Sequence, residues 1–421
     1  MNKALLKDIS IHISSGLTPL RSNPVFWNTQ DIPWVKTEQL GIKHVYDSNE
    51  KVSKAALEQT SLKLNPLNSL SIAMYGEGQT RGRVSILKSE MATNQACCNI
   101  FIDEDKADYE YVYYFLKTQY EQLRNLSSGV RKNLNANDIK NFEIRLPQSL
   151  KTQKDIANTL SNLDKKIELN NKINTELEAM AKLIYDYWFV QFDFPDANGK
   201  PYKTSGGKMV YNEALKREIP EGWVDGSLAD ISNLVRGVTY GKGDIRARCD
   251  EDVIPILRAT NISGNKIDLD NMVYVPESFV GTQQLLNRHD VLITMSSGSK
   301  EHIGKNGMFY FEDAISFGAF CAKLVAKDNF EYYLFAYTQS DFMFKTIKNE
   351  CLGTNINNLN SSLVNGFKIV IPNEAMLYKY NRVLDSIHKK IGTAQQENNK
   401  LRELRDWLLP MLMNGQVTIK D

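Results

Sequence analysis

The chain has 421 residues, 42% hydrophobic and 24% charged, with a net charge of +1; it is long enough for two or three domains, and its composition excludes a disordered polymer. The near-neutral charge argues against a protein that grips nucleic acid alone, because phosphate contacts dominate such affinity and call for a basic excess. No apolar run reaches the roughly 18 residues needed to span a membrane, the opening MNKALLKDIS lacks a signal-peptide core, and Cys97, Cys98, Cys249, Cys321 and Cys351 form no C-x-x-C pair; together these point to a reducing cytoplasm and away from a disulfide scaffold or a cysteine zinc site.

In chain order, SLSIAMYG and NIFIDE predict buried strands, the first ended by glycine, and DYEYVYYFLKTQYEQLRNL predicts an aromatic amphipathic helix. FEIRLP predicts a strand halted by proline. Residues 148–190 then predict one long helix without Pro or Gly. Residues 191–219 are dense in Gly, Pro, Ser and Asn and predict a linker. The same succession follows: DVLITMSSG and AKLVAKD as strands, FEYYLFAYTQSDFMFKTI as the helix, FKIVIP as the last strand, and a second long helix over 373–413 before a tail at 414–421.

The succession is a duplication. A shift of 224 places Ile167 on Ile391, Leu177 on Leu401, Met180 on Leu404 and Ile184 on Leu408. At 221 or 222, LKDISIHISSGLT matches LADISNLVRGVT and IPWVKTEQL matches IPILRATNI. The fold class expected is α+β: tandem domains at 1–147 and 220–372, each followed by a long helix. Both helices carry heptads. Ile156, Leu160, Leu163, Ile167, Asn170, Asn174, Leu177, Ala181, Ile184 and Trp188 alternate steps of four and three. So do Tyr380, Leu384, Ile387, Ile391, Ala394, Asn398, Leu401, Arg405, Leu408 and Leu412. That is a coiled-coil seam, in which a polar residue costs stability but fixes register. Paired antiparallel and flush, partners have numbers adding to 568, so Asn170 faces Asn398. The seam from Ile156 to Trp188 spans about 50 Å at about 1.5 Å per residue, a ruler between two domains.

Catalytic signatures are weak. The five histidines have no metal-ligand spacing, TSGGKM lacks the spacing and the hydroxyl residue of a phosphate loop, and NPVF (23–26) lacks one proline of a methyltransferase motif. No D/E-x-K triplet follows Pro195–Asp196 to complete a nuclease motif. What recurs in both copies is loop chemistry suited to base edges and phosphates. In the first copy the candidates are Lys36, Thr37, Gln39, Gln79, Thr80, Arg81, Arg83, Asn94, Gln95, Arg131 and Lys132, with Asn133 beside them. In the second they are Tyr240, Lys242, Arg258, Thr260, Asn261, Ser297, Ser299, Lys300, Lys305 and Asn306, with Asn355 near Gly353. Arg and Lys suit guanine or phosphate, Asn and Gln suit adenine, and glycine lets a loop approach a groove.

LDKKIELNNKINTELEAMAKLIYDYWFVQFDFP, SGGKMVYNEALKREIPEGW and the second L-x-D-I start at Leu228 resemble the DNA-specificity (S) subunits of type I restriction-modification systems, over essentially the whole chain. The resemblance implies two target-recognition domains, each reading one half of a split asymmetric site, with the helices setting the gap. It implies a non-catalytic subunit with no cofactor or metal of its own. Its partners would be double-stranded DNA, two modification subunits that bind S-adenosylmethionine and methylate adenine, and ATP-driven restriction subunits. The seam and the aromatics Trp188, Phe189 and Trp407 are candidate docking surfaces. Two other readings stay open, a fused methyltransferase or nuclease and a protein-interaction scaffold.

Overall fold

The computed structural model of the protein describes residues 1–76, 79–126, 133–353 and 358–419. The chain divides into two compact units, Met1–Lys166 with Leu401–Asp421, and Ile167–Lys400. Each contains one predicted domain and a share of both long helices.

In the first unit the strands Ser10–Ser15, Cys97–Ile102, Leu70–Ala73, Val84–Leu87 and His44–Val45 form one sheet in that order. A smaller sheet has Ile32–Val35 at its centre, antiparallel to Glu50–Val52 and parallel to Ala92–Thr93. A two-stranded ribbon of Asn2–Leu5 and Glu143–Leu146 closes the domain beside its exit. The second unit repeats this plan. Its larger sheet runs Ser232–Arg236, Cys321–Ala326, Val291–Thr294, Asn306–Met308. Val253–Leu257 is antiparallel to Val273–Pro276 and parallel to Ser316–Phe317, and Val224–Ser227 pairs with Lys368–Ile371. Every strand position of the central strands is buried, as expected of short apolar runs. The predicted aromatic helix of each domain is broken into two, at Gln119 in the first (Tyr109–Thr118, Tyr120–Asn125) and between Thr338 and Asp341 in the second (Glu331–Thr338, Asp341–Gly353).

The long helices span Leu150–Tyr185, continued by a wider π-helical turn over Asp186–Val190, and Glu374–Met413. Ser149 Oγ and Asn373 Oδ1 accept first-turn backbone N–H groups, and Pro147 and Pro372 precede these caps. The second helix stops at Gly415, whose φ of 71° is the left-handed conformation common at helix ends.

The helices pair antiparallel in the expected register. In the second unit the Asn170 amide donates to Asn398 Oδ1 at 2.9 Å, and Asn398 donates to Asn171 Oδ1 at 3.1 Å. Trp188 meets Tyr380 at a ring separation of 5.7 Å. Both Asn170–Asn398 and Trp188–Tyr380 are flush pairs, so the register holds along this stretch. In the first unit Ile156 and Leu160 share a core with Leu409 and Leu412. There a polar cluster replaces part of the apolar seam. Arg405 Nη1 bonds Asp164 Oδ1 at 2.8 Å, and Asp164 Oδ2 accepts from the Tyr114 hydroxyl. Lys43 Nζ donates to Tyr114 at 2.8 Å and to Ser161 at 3.1 Å, and lies 3.3 Å from Glu110. Burial pushes the Asp164 carboxyl up, but the bonds from Tyr114 and Arg405 outweigh it and hold the group below the usual carboxylate range. A shift of 224 places Asp164 on His388. His388 is buried and stacked on Tyr332 at 4.5 Å, with Nδ1 2.6 Å from the Tyr310 hydroxyl. One position is thus charged in the first copy and neutral in the second.

Two expectations change. Residues 191–219 hold a hairpin (Met209–Asn212 with Arg217–Pro220) and bury Phe192 and Phe194. Phe194 stacks on Trp223 at 5.1 Å and on Tyr202 at 4.6 Å, so aromatic burial outweighs the loop-like composition. Trp188 and Phe189 lie in the second unit's own core with Tyr185, Tyr333 and Tyr380, which removes them as docking surfaces. No helix among the described residues is long and apolar enough to cross a membrane.

Asn170→Leu should destabilise the protein by about 1–3 kcal/mol, because it strands a buried amide, and adding Asn398→Leu should recover most of that loss; denaturation of the two singles and the double checks the coupling. Burial, aided by nearby His289, pushes His388 down to about 3 from 6.5. The unfolded chain therefore takes up a proton below pH 6.5 that the folded chain refuses. Stability should fall by up to about 1.4 kcal/mol per pH unit between those values, and His388→Gln should remove this component from melting curves recorded against pH.

Candidate nucleic-acid interface

One end of each domain gathers the same three strand-to-loop transitions. In the first, Gly16 N–H donates to the Cys97 carbonyl, Leu17 N–H to Thr93 and Asn94 N–H to Val35. In the second, Gly237 donates to Cys321, Val238 to Phe317 and Gly318 to Leu257. A Cβ on Gly16 would overlap the Thr93 carbonyl, and one on Gly237 the Gly318 carbonyl. Glycine is therefore required at both crossings by close backbone approach. The loops after the central strands also correspond. Gly82 N–H bonds the Ala73 carbonyl and Ala73 N–H the Arg83 carbonyl; Gly304 and Thr294 do the same with Thr294 and Lys305. Gly82 and Gly304 have φ of 87° and 80°.

This frame assigns positions to the candidates. Lys36 and Arg258 are equivalent, each following the centre strand of the smaller sheet. The backbone N–H of Lys36 donates to Gln39 Oε1 at 3.4 Å, and that of Arg258 to Asn261 Oδ1 at 2.9 Å. Thr37 is half-buried and Thr260 exposed on the short turns that follow. Gln79 is exposed, its carbonyl accepting from the Tyr120 hydroxyl at 2.6 Å. Thr80, Arg81 and Arg83 are half-buried on the same loop. Asn94 Oδ1 accepts from Ala96 N–H at 3.1 Å, and exposed Gln95 accepts from the Thr18 hydroxyl. In the second domain Tyr240 packs against Gly318, while Lys242 and Ser299 are exposed and Ser297 is half-buried. Lys305 Nζ lies 3.1 Å from His302 Nδ1. Lys300 begins the short helix Lys300–His302. Arg131, Lys132 and Asn355 lie outside the described residues.

Two candidates are corrected. Asn261 is buried, and its amide donates to the carbonyls of Asp268 and Asp270 at 2.9 and 2.7 Å. Asn306 is fully buried and bonds the Gly304 and Thr338 carbonyls, the Thr338 hydroxyl and Gln339. Both amides hold backbone together and do not reach a surface.

Other residues at this end escaped the sequence reading. Arg21 lies over the Trp27 ring at 3.8 Å and pairs with Glu50. Glu50 Oε1 also holds Lys36 Nζ at 2.8 Å, and Lys36 reaches Glu38 at 2.9 Å. The hydrogen bond to Glu50, with that to Glu38, raises the Lys36 ammonium above its ordinary value, and that from Arg21, with that from Lys36, lowers the Glu50 carboxyl. Phe320 is 69% exposed, and its carbonyl receives Met295 N–H as that of Ala96 receives Met74 N–H. The repeat frame would have flagged Phe320, but Glu50 had no local signal.

The chemistry on offer is hydrogen bonding, positive charge and exposed apolar contact. Burial pushes the thiols of Cys97, Cys98 and Cys321 up to about 12, so they are not nucleophiles at neutral pH. NPVF forms a capped turn, with Asn23 Oδ1 accepting from Val25 N–H at 3.1 Å and Phe26 buried. Among the described residues no group of His, Cys, Asp and Glu has metal-binding geometry.

A family model described as the type I restriction modification DNA specificity domain matches residues 2–179 and again 220–403, in step with the duplication. The chain is similar to the type I restriction enzyme MjaIX specificity subunit of Methanocaldococcus jannaschii, 27% identical over 99% of this chain and 93% of that one. It is also similar to the EcoKI specificity subunit of Escherichia coli, 31% identical over 48% of this chain and 45% of that one. Its fold is that of the S subunit of a type I restriction-modification system from M. genitalium, with a TM-score of 0.57 and 17% identity over 98% of this chain and 95% of that one.

Asn261→Ala should lower stability by about 1–3 kcal/mol through the carbonyls it strands, whereas exposed Arg258→Ala should stay within about 0.5 kcal/mol of the parent. Chemical denaturation of the two variants distinguishes a structural amide from a surface cation.

Proposed function

The chain belongs to the family of type I restriction-modification DNA specificity domains, and we propose that it is the specificity subunit of such a system, reading a bipartite asymmetric DNA site. The observation that carries this is the duplicated frame: two domains with one backbone plan present different side chains at matched positions, as two readers of different half-sites require. Lys36 and Arg258 offer donors to guanine or phosphate, and Gln79 and Gln95 offer amides to adenine. Phosphate contacts steady the duplex, and base contacts select it.

The antiparallel helices set the gap between half-sites. Their register is fixed by named pairs, so their length is a defined quantity. They also dock two modification subunits, which bind S-adenosylmethionine and methylate adenine within the site, and ATP-driven restriction subunits join that assembly in the cytoplasm. The chain itself is non-catalytic in this reading. Support for docking comes from apolar side chains left uncovered on the helices. Leu169, Ile173, Met180, Leu183 and Tyr187 are all 36% exposed or more and follow heptad steps. The shift of 224 places exposed Leu404 and Trp407 on Met180 and Leu183. A surface present twice in one chain suits two copies of one partner. Exposed large apolar residues arranged in order mark interaction sites.

Single-molecule sequencing of methylated adenines in cells with the modification subunit should show a split motif that vanishes when this chain alone is deleted; a motif that persists would defeat the reading. Adding one heptad to each helix should lengthen the gap and leave both half-site words unchanged. Leu183→Ala and Trp407→Ala should each weaken capture of a modification subunit by about tenfold, as for exposed interface anchors, with unaltered melting; titration calorimetry with the purified subunit measures this.

A further inference from the structure

The smaller sheets of the two domains superimpose in register. Ile32 pairs with Val52 and Trp34 with Glu50; Ile254 pairs with Val275 and Ile256 with Val273. Glu50 and Val273 are therefore equivalent, each opposite the residue two before the reading cation, Lys36 or Arg258. In the first domain this position carries a carboxylate that ties two cations together. Glu50 Oε1 lies 2.8 Å from Lys36 Nζ, and Oε2 takes Arg21 Nη1. Glu38 holds Lys36 from its other side at 2.9 Å. Arg21 lies over the Trp27 ring at 3.8 Å, and that ring meets Trp34 edge-on at 4.9 Å. The four charges sum to zero. In the second domain the valine offers no charge. Arg258 Nη2 donates to the Asn271 carbonyl at 2.8 Å.

We propose that the Glu50/Val273 difference determines how each half-site is read: Glu50 is a positioning residue that holds Lys36 and Arg21 as an oriented, charge-compensated donor pair for a base edge, whereas Val273 leaves Arg258 a full cation for guanine or phosphate. The physical reason is geometric. A lysine ammonium is a flexible point charge that any phosphate satisfies, and it carries sequence information only when its direction is fixed. Two carboxylates fix the direction of Lys36 and cancel its pull on phosphate. A guanidinium is planar and directional by itself, so Arg258 needs no such support.

This rests on the DNA-recognition reading above, and the test separates the two. The complex of this chain with its modification subunits is titrated onto duplexes carrying the mapped site, with either half-site altered by one base pair, over a range of salt. Failure of the parent complex to discriminate altered from intact sites would defeat the recognition reading itself. If the parent discriminates, Glu50→Val should reduce discrimination in the first half-site by about tenfold. It should also steepen the dependence of log affinity on log salt by about one unit, the signature of one added phosphate contact. Discrimination in the second half-site should not change. Val273→Glu should move the salt dependence the other way, making it shallower by about one unit, and should lower affinity through the second half-site alone. Glu50→Gln, which keeps volume and one acceptor, replaces Glu50→Val if that variant melts early, with the same sign expected in both readouts. Unchanged first-half discrimination in a folded Glu50 variant overturns the inference, as does an equal loss in both half-sites.

Discussion

The hydrogen bond between Asn170 and Asn398 is the constraint on which the rest is built. A coiled coil lined only with leucine and isoleucine can slide by a heptad at little cost, because one apolar layer resembles the next. Two amides that must find each other away from water allow one register only. Each long helix grows directly out of the last strand of a recognition domain, through Pro147 and Ser149 in one case and Pro372 and Asn373 in the other. In the proposed function, register in the seam is therefore the quantity that would convert a count of residues into a spacing on DNA. The polar pair costs seam stability, and the neighbouring apolar layers supply what it lacks.

Duplication left two copies of one plan free to diverge where the plan does not need them. The glycine crossings at Gly16 and Gly237 and the parallel pairing of the small sheets are backbone matters and are the same in both. The helix position occupied by Asp164 and His388 shows the opposite behaviour. One copy packs it with Arg405, Tyr114 and Lys43, and the other with Tyr310 and Tyr332. Both satisfy a polar side chain, a half-buried one by charge in the first copy and a buried one by a neutral ring in the second.

Much of this was legible in the sequence because it rests on period and order. Heptad steps, the polar intruders in them and a near-constant offset between copies are one-dimensional signals, and they yielded the antiparallel pairing and its register. Composition misled where burial is a tertiary property. Residues 191–219 look like a linker because glycine, serine and proline outnumber Phe192, Phe194 and Tyr202, yet Trp223 gives those rings something to stack on. Asn261 and Asn306 have the side chains of base readers, but short turns leave carbonyls that only an amide can reach. Glu50 was invisible for a different reason. An acidic residue is discounted at a DNA surface until its two cationic neighbours, distant in sequence, are seen on either side of it.

The first unit takes its core from both ends of the chain. Ile156 and Leu160 are covered by Leu409 and Leu412, and Met1 lies near Gly415, where a Cβ would come within 3.3 Å of its side chain. The whole of the second unit is translated between those partners. During synthesis Ile156 and Leu160 therefore lack these partners until residues 409 and 412 have been added. Without the last helix the apolar side chains of Ile156 and Leu160 lose the partners that cover them.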